Sequence, residues 1–322
     1  MSKLYCGVDL GGTSIKCAFG DAEGNLHIER VIPTDAHQGP KPVLDRIADL
    51  VDSMADEAGQ RPESLGMGLP GLVDVERGIA RFLPNLPTGW KDVHVTEQLQ
   101  QRLDCTVRIL NDVRTATIGE LRYGNGKNAN TMAFFAIGTG VGGGIVVDRK
   151  LRLGPNGAAG ELGHQTIIPD GPLCGCGNRG CLETLCGAPA IASEGIRLMR
   201  IGHAPTLHKA TGGDPTRVSP KSMYEAAEAG DEAVREVLLR AATFLGIGVA
   251  NVMTVLHPDL VVLGGGVAMM GPFLIDRVRE VVHSHVTMFP PDSVRIEHSI
   301  LDEKAGVLGA VSLAAEGIPG VD

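Results

Sequence analysis

The sequence predicts an α/β protein made of two similar halves, and three observations carry that prediction. The chain opens as strand, glycine turn, strand, glycine turn, strand. Leu4 to Val8 is apolar, Asp9-Leu10-Gly11-Gly12-Thr13 turns, Ile15 to Phe19 returns, and the Gly24-Asn25 turn leads into Leu26 to Ile32. The same order comes back at Thr131 to Ile137, Gly138-Thr139-Gly140 and Gly144 to Val147, followed by a short turn and another strand. Between the copies lies helical periodicity, with Val43, Leu44, Ile47, Leu50, Val51 and Met54 on one face of a helix over 40–58. A chain of 322 residues also suits about two domains at roughly 150 residues each.

The remaining elements follow in order. Ser64 to Leu69 is a short strand ending in Pro70-Gly71, and Thr96 is placed to cap a short helix. Cys105 to Leu110 is a buried strand that ends at Asn111-Asp112 and passes into a helix reaching Leu121. A Gly/Cys loop spans 170–181, and helices dominate from there to His257. Pro205 to Pro220 is polar, contains Gly212-Gly213 and is expected to be an exposed loop; Ser219 then caps a helix with Pro220 at its first position. Asp259 to Leu263 is a strand entering Gly264-Gly265-Gly266, another strand lies near 293–300, and Ala305 to Glu316 is a closing helix. No low-complexity linker separates the halves.

Composition narrows the function. The 38 acidic and 29 basic residues leave a net charge of −9, which opposes binding to a phosphate backbone. Aromatic residues at 3 % offer no stacking platform for single strands. Hydrophobic residues at 43 % exclude disorder. The N-terminus has no apolar run before Asp9, so no signal peptide is expected. The uncharged run between Asp259 and Asp276 is broken by Gly264, Gly265, Gly266 and Pro272. It is shorter than the about 20 residues of a spanning helix, so no membrane segment is expected. These features suit a cytoplasmic protein. Glycine is the outlier, at 44 residues, roughly twice the usual share, which places backbone in tight turns or against a ligand.

Two glycine turns have the chemistry of phosphate loops. In Asp9-x-Gly11-Gly12-Thr13-x-x-Lys16, glycines free the backbone amides to face an anion, threonine adds a hydroxyl, and Asp9 offers oxygen to Mg²⁺. An ordinary hairpin turn is the competing reading. Gly138-Thr139-Gly140-Val141-Gly142-Gly143 matches the spacing of a dinucleotide fingerprint, but that fingerprint requires a helix to open at the loop. Here Gly144-Ile145-Val146-Val147 favours a strand, so a strand–loop–strand cradle is expected. Gly264-Gly265-Gly266 is a third such turn, with a plain strand–helix turn as its alternative.

His164, Cys174, Cys176 and Cys181 give His-x9-Cys-x-Cys-x4-Cys, with Gly175, Gly177 and Gly180 allowing a tight knuckle. Three thiolates and an imidazole are the donor set of a structural zinc; unrelated buried or redox-active thiols are the competing reading. The other cysteines, Cys6, Cys17, Cys105 and Cys186, read as small core residues. Asn111-Asp112 at a strand end before a helix is a common position for catalytic groups in α/β folds, as well as for a simple helix cap. Glu161-x-x-His164 sets two polar groups on one helical face, and Glu183 follows the last clustered cysteine.

Taken together, these pieces resemble the ROK (repressor, ORF, kinase) family of sugar kinases. They are Asp9-Leu-Gly-Gly-Thr13, Gly68-Leu-Pro-Gly71, Asn85-Leu-Pro-x-x-Trp90, Asn111-Asp112, Gly138-Thr-Gly-Val-Gly-Gly143, Glu161-Leu-Gly-His164, Cys174-Gly-Cys176-Gly-x-x-Gly-Cys181-Leu-Glu183 and Leu263-Gly-Gly-Gly266. The resemblance implies an actin-like ATPase (hexokinase-type) fold, two α/β domains flanking a cleft. Residues 1–111 plus 302–322 would form the small domain, and 112–301 the large one with the zinc loop. It implies ATP, Mg²⁺ and structural Zn²⁺, a hexose as acceptor, and a homo-oligomer, dimer or tetramer.

By position, Asp112 would be the general base. Gly71, Asn85, Asn111, Asp112, Glu161, His164 and Glu183 would hold the sugar. Asp9, Gly11, Gly12, Thr13, Lys16, Gly138, Thr139, Gly140, Gly264, Gly265 and Gly266 would serve ATP and its metal, with Lys16 either a phosphate contact or a surface charge. His164, Cys174, Cys176 and Cys181 would bind zinc. The Asn85-Leu-Pro-x-x-Trp90 piece looks like the glucokinase branch, so glucose is the expected sugar; N-acetylglucosamine, N-acetylmannosamine, mannose and fructose are the alternatives. Family repressors carry a DNA-binding segment ahead of the Asp-x-Gly-Gly-Thr motif, for which a motif starting at residue 9 leaves no room. A partner nucleic acid or membrane is not expected.

Overall fold

The computed structural model describes residues 3–83, 86–88 and 90–320. Its contacts divide the chain into two units, Met1–Asn130 with Gly144–Gly160 and Ile300–Asp322, and Thr131–Gly143 with Glu161–Ser299. Elements are numbered along the chain.

In the first unit, strands β1 (Tyr5–Leu10), β2 (Ser14–Gly20) and β3 (Leu26–Pro33) form an antiparallel meander, followed by helix α1 (Pro40–Ala58) and strand β4 (Ser64–Leu69). Strands β5 (Leu72–Asp74), β6 (Ile79–Leu83) and β7 (Trp90–His94) make a separate antiparallel sheet. Helix α2 (Val95–Leu103), strand β8 (Thr106–Asn111) and helix α3 (Asp112–Arg122) follow. The main sheet runs β3–β2–β1–β4–β8, with β1, β4 and β8 parallel. Side chains alternate across it. Cys6, Val8, Leu10, Leu65, Met67 and Leu69 enter the core formed with α1 and α2. Gly7 and Gly66 face the other way, under the last helix, α10 (Ala305–Glu316).

In the second unit, strands β9 (Met132–Ile137) and β12 (Leu260–Gly264) pair in parallel, and β13 (Arg295–His298) pairs in parallel with β12. Strand β10 (Val141–Val147) begins here, and from Gly144 its residues belong to the first unit, where it pairs with β11 (Lys150–Leu151). The helices are α4 (Glu183–Cys186), α5 (Ala188–Arg200), α6 (Pro205–Thr211), α7 (Pro220–Glu228), α8 (Glu232–Leu256) and α9 (Pro272–His285). By length and composition α8 could cross a membrane, but 61 % of its most apolar stretch is buried within the fold. Gly246 packs on Val278 and Val281 of α9, and Gly248 on Leu182, which makes α8 the central helix of this unit's core.

Three expectations are corrected. Residues 112–130 and 144–160 belong to the first unit, not the second: α3 packs against α10, Arg149 donates to the Lys127 and Ala129 carbonyls, and the Leu151 amide to that of Pro319. Pro205 to Pro220 is not a plain loop, because Asp231 accepts from the Thr206 and Leu207 amides and so caps α6. Thr96 lies inside α2, whose N-cap is His94. The β5–β7 sheet gave no clear periodic signal, its strands being short.

Helix α10 meets its neighbours glycine against backbone. A Cβ on Gly66 would overlap the Ala310 carbonyl, and one on Gly309 the Thr115 carbonyl. Gly309→Ala is therefore expected to cost about 3 kcal/mol, the upper range of overpacking, read as a lowered urea midpoint. An unchanged midpoint would show that α10 and α3 separate at no cost.

Candidate active site

In the first unit, parallel strands bring three pieces to one sheet edge. Asp9 pairs with Gly68 across β1 and β4, and Gly68 with Leu110 across β4 and β8. The C-terminal ends of these strands therefore carry Asp9, the Gly68–Gly71 turn and Asn111-Asp112 side by side, where ligands of open α/β sheets sit. Gly68 touches the Cα of Asp112 and the side chain of Thr115, each 3.4 Å from a Cβ built on it, so the turn lies directly on the start of α3.

Asn111 is the N-cap of α3. Its Oδ1 accepts from the amides of Val113 (3.1 Å) and Arg114 (3.2 Å) and from Nη1 of Arg114 (3.0 Å); its Nδ2 donates to the Gly71 carbonyl (3.0 Å). A single Nδ2 hydrogen is left for a ligand. Asp112, the first residue of the helix, accepts from the Val113 amide through Oδ1 (2.8 Å). Its Oδ2 has no partner among the described residues. Burial pushes the Asp112 carboxyl up to about 7; the Val113 amide opposes the rise, the charge of Asp9 adds to it, and Arg114 opposes it. Burial also raises Asp9, with Lys16 pulling it back. The Asp9 carboxylate lies at the first turn of α10, where a Cβ on Gly306 would be 2.6 Å from Oδ2.

The Gly11–Thr13 turn joins β1 to β2. The Gly11 amide donates to the Ser14 carbonyl (2.9 Å) and the Thr34 hydroxyl to the Gly11 carbonyl (2.7 Å), which leaves the Gly12 and Thr13 amides at the exposed tip without a partner among the described residues. Lys16, read as either a phosphate contact or a surface charge, donates to the Glu303 carbonyl and carboxylate, both at 3.1 Å. Asn85 lies outside the described residues.

In the second unit, Gly138-Thr139-Gly140 is a turn closed by the Gly138 amide on the Gly140 carbonyl (2.8 Å), and it leads into a strand, as expected for a cradle and not a dinucleotide loop. The Ala188 amide holds the Gly138 carbonyl (2.8 Å). Gly265, at φ +87°, sits against the Ile137 backbone, which sets Gly264–Gly266 beside this turn. Glu183 accepts from the Val141 amide through Oε2 (3.0 Å) and from the Cys174 thiol through Oε1 (3.7 Å), so it faces the turn as well as the cysteine loop.

Glu161 is the N-cap of a 3-10 turn, Leu162–His164, in place of the expected α-helical face. The spacing still brings His164 Nε2 to 3.9 Å from Glu161 Oε2. His164 turns its Nδ1 to the Cys174 sulfur at 3.6 Å, and the Cys176 and Cys181 sulfurs are 3.8 Å apart. All four donor atoms lie within 4.8 Å of one another. Sulfurs bound tetrahedrally at about 2.3 Å from a zinc are about 3.8 Å apart, and a sulfur and a nitrogen about 3.6 Å. The donor set and its spacing thus fit one tetrahedral ion, with Nε2 of His164 directed outward. The knuckle forms because Gly177, at φ +91°, closes a turn on the Cys174 carbonyl (2.9 Å).

Sequence reasoning missed Arg114. It is 4 % exposed and donates through Nη2 to the Ala159 carbonyl at 2.7 Å. A signal existed: a cation in the first turn of a helix opposes the macrodipole, and such a local conflict marks a tertiary role.

Residues 5–317 match the model of the ROK family. The chain is 34 % identical to the glucokinase of Thermotoga maritima over 99 % of this chain and 100 % of that protein. It is 29 % identical to the xylose repressor of Caldicellulosiruptor bescii over 95 % of this chain and 77 % of that protein. Among solved structures it is similar to a ROK family glucokinase from Streptomyces griseus in complex with glucose and AMPPNP, with a TM-score of 0.84, 30 % identity, and 97 % and 99 % of the two chains covered. The fold is that of the actin-like ATPases.

The raised Asp112 carboxyl makes a stability prediction. A carboxyl whose folded value, about 7, exceeds its ordinary value of 3.8 binds its proton more tightly in the folded state. Its contribution is present below about pH 4 and is lost as pH rises to about 7. Asp112→Asn removes that loss. The variant should gain on the wild type by roughly 2–3 kcal/mol between pH 5 and pH 8 in urea unfolding; a constant difference would contradict the buried charge.

Proposed function

The chain belongs to the ROK family, and we propose that within it the protein is an ATP-dependent glucose kinase that phosphorylates the 6-hydroxyl, with Asp112 as general base. The observation that carries this reading is the Asp112 carboxylate at the sheet edge: it has an unclaimed oxygen, a proton affinity near neutrality and Asp9 as its neighbour in charge. A base works best when its proton affinity is near the working pH. Relatives with glucokinase activity in their names, from Thermotoga maritima and Streptomyces griseus, support the choice of glucose.

In this reading the sugar 6-hydroxyl gives its proton to Asp112 Oδ2 as its oxygen bonds to the γ-phosphorus, and the bond from that phosphorus to the ADP oxygen breaks. Phosphoryl transfer is mainly alignment and charge neutralisation. The Gly12 and Thr13 amides supply donors from the first unit, and the Gly138–Gly140 turn from the second. Gly264, Gly265 and Gly266 form the neighbouring wall for the nucleoside. Mg²⁺, held by Asp9, would supply charge neutralisation on the phosphates. Glu161, Glu183 and His164, with Asn111 Nδ2 and the Gly71 turn, hold the sugar hydroxyls; paired carboxylate oxygens suit vicinal diols. His164 Nδ1, Cys174, Cys176 and Cys181 would hold a structural zinc, which fixes the imidazole and leaves Nε2 for the sugar. With a net charge of −9, we read the enzyme as a cytoplasmic homo-oligomer, dimer or tetramer, that acts on small molecules and not on nucleic acid.

Coupled ADP release with Mg-ATP and a panel of hexoses tests this. Glucose-dependent release is expected to exceed that with mannose, fructose, N-acetylglucosamine or N-acetylmannosamine, and Asp112→Asn should lower kcat by at least about 1000-fold while glucose still binds. Preference for another hexose would replace the substrate, and near-normal turnover of Asp112→Asn would remove the base. Separately, Cys176→Ala should abolish stoichiometric zinc and lower the Tm, because structural zinc contributes folding energy. Wild-type protein purified without zinc, at the same Tm, would remove the metal from the reading.

A further inference from the structure

We propose that Arg114 is a positioning residue that ties the base-bearing end of α3 to the Gly154–Gly160 loop. Nη1 donates to Asn111 Oδ1 at 3.0 Å and Nη2 to the Ala159 carbonyl at 2.7 Å, so one planar guanidinium fixes both. Through Asn111 the tie reaches further. The same Oδ1 caps α3, and Nδ2 holds the Gly71 carbonyl, so Arg114, the base helix and the Gly68–Gly71 turn form one hydrogen-bonded block.

The other end of the tie is a glycine-rich loop. Gly154, Gly157 and Gly160 have φ of +63°, +70° and +85°, and Asn156 is at +58°. The loop closes on itself through the Ala159 amide and the Leu153 carbonyl (2.8 Å). Ala159 is therefore held at its amide by the loop and at its carbonyl by Arg114. Glu161 follows two residues later, where the chain passes from the first unit to the second. Arg114 thus fixes the last residues of the first unit before that crossing.

A buried cation in the first turn of a helix is opposed by the macrodipole and by its own desolvation. The Asn111 and Ala159 oxygens and the nearby charge of Asp112 offset those costs, and all three partners lie at the base-bearing end of α3 or in the loop tied to it. Lysine would keep the charge but cannot make both contacts at fixed geometry, which is what makes the role testable.

This inference rests on the kinase reading, and the experiment separates the two. Wild type, Arg114→Lys and Arg114→Ala are assayed with the hexose that the wild type prefers. Arg114→Lys should lower kcat by at least tenfold and Arg114→Ala by about 100-fold, the cost of misplacing a reacting group by about 1 Å. The hexose KM should rise several-fold, with the Mg-ATP KM within twofold. Guanidinium ion at low millimolar concentration should restore part of the Arg114→Ala rate, which it would not do for a merely destabilised fold. Hydrogen exchange on the unliganded proteins should quicken at residues 154–160 and at Val113 in Arg114→Lys, with the α1 and α8 amides unchanged. Full activity of Arg114→Lys, or equal rises in both KM values, would overturn the positioning role. Absence of any hexose-dependent ADP release by the wild type would overturn the kinase reading instead. In that case unchanged exchange at 154–160 in Arg114→Lys would by itself overturn the tie, and faster exchange would support it.

Discussion

The arrangement of the first unit depends on how closely α10 lies against β1, β4 and α3. Gly7 and Gly66 on the sheet, Gly119 on α3, and Gly306 and Gly309 on α10 leave no room for a Cβ at these contacts. Helix and sheet therefore meet backbone to backbone, and the last element of the sequence becomes the slab on which the first and fourth strands rest. The catalytic geometry inherits this closeness. Asp9 at the end of β1 is pressed to the first turn of α10, and Asp112 begins the helix that α10 holds down. These five glycines serve packing, a use that composition alone did not assign to any of them.

The same closeness sets the electrostatics. Two carboxylates placed at neighbouring ends of parallel strands, both partly withdrawn from water, cannot both be ionised without cost. Burial is the larger cause of the rise at Asp112, and Asp9 adds to it. Lys16 opposes the rise at Asp9 but is itself engaged by Glu303, so the pair is only partly compensated. A cation at Asp9 would relieve that repulsion and lower the proton affinity of Asp112. On this view, metal and nucleotide binding prepare the base as well as neutralise phosphate.

Much of this was legible in the sequence because the signals were local. The Ala305–Glu316 helix, the β1–β3 meander and the strand after Gly143 follow from periodicity and turn residues alone. The cysteine knuckle was legible because spacing and three glycines dictate a turn. What escaped was tertiary. The boundary between the units was misread because α3 looks, in sequence, like the start of a new half, whereas its partner α10 lies nearly 190 residues away. Lys16 has the spacing of a phosphate ligand, and nothing local announces Glu303. Glu183 also turns its Oε2 to the Val141 amide, a contact that couples the cysteine loop to the glycine turn and has no sequence signature.

The family contains repressors as well as kinases, and this chain is similar to members of both kinds. The residues that separate the two roles are those that a binder would not need. A protein that only holds a sugar needs donors and acceptors for its hydroxyls and no more. It gains nothing from placing a second buried carboxylate beside Asp9, since that raises the free energy of the folded state above neutral pH without adding a contact. Nor does it need a turn whose Gly12 and Thr13 amides have no partner among the described residues. The chain keeps both features, which favours the kinase reading over that of a binder.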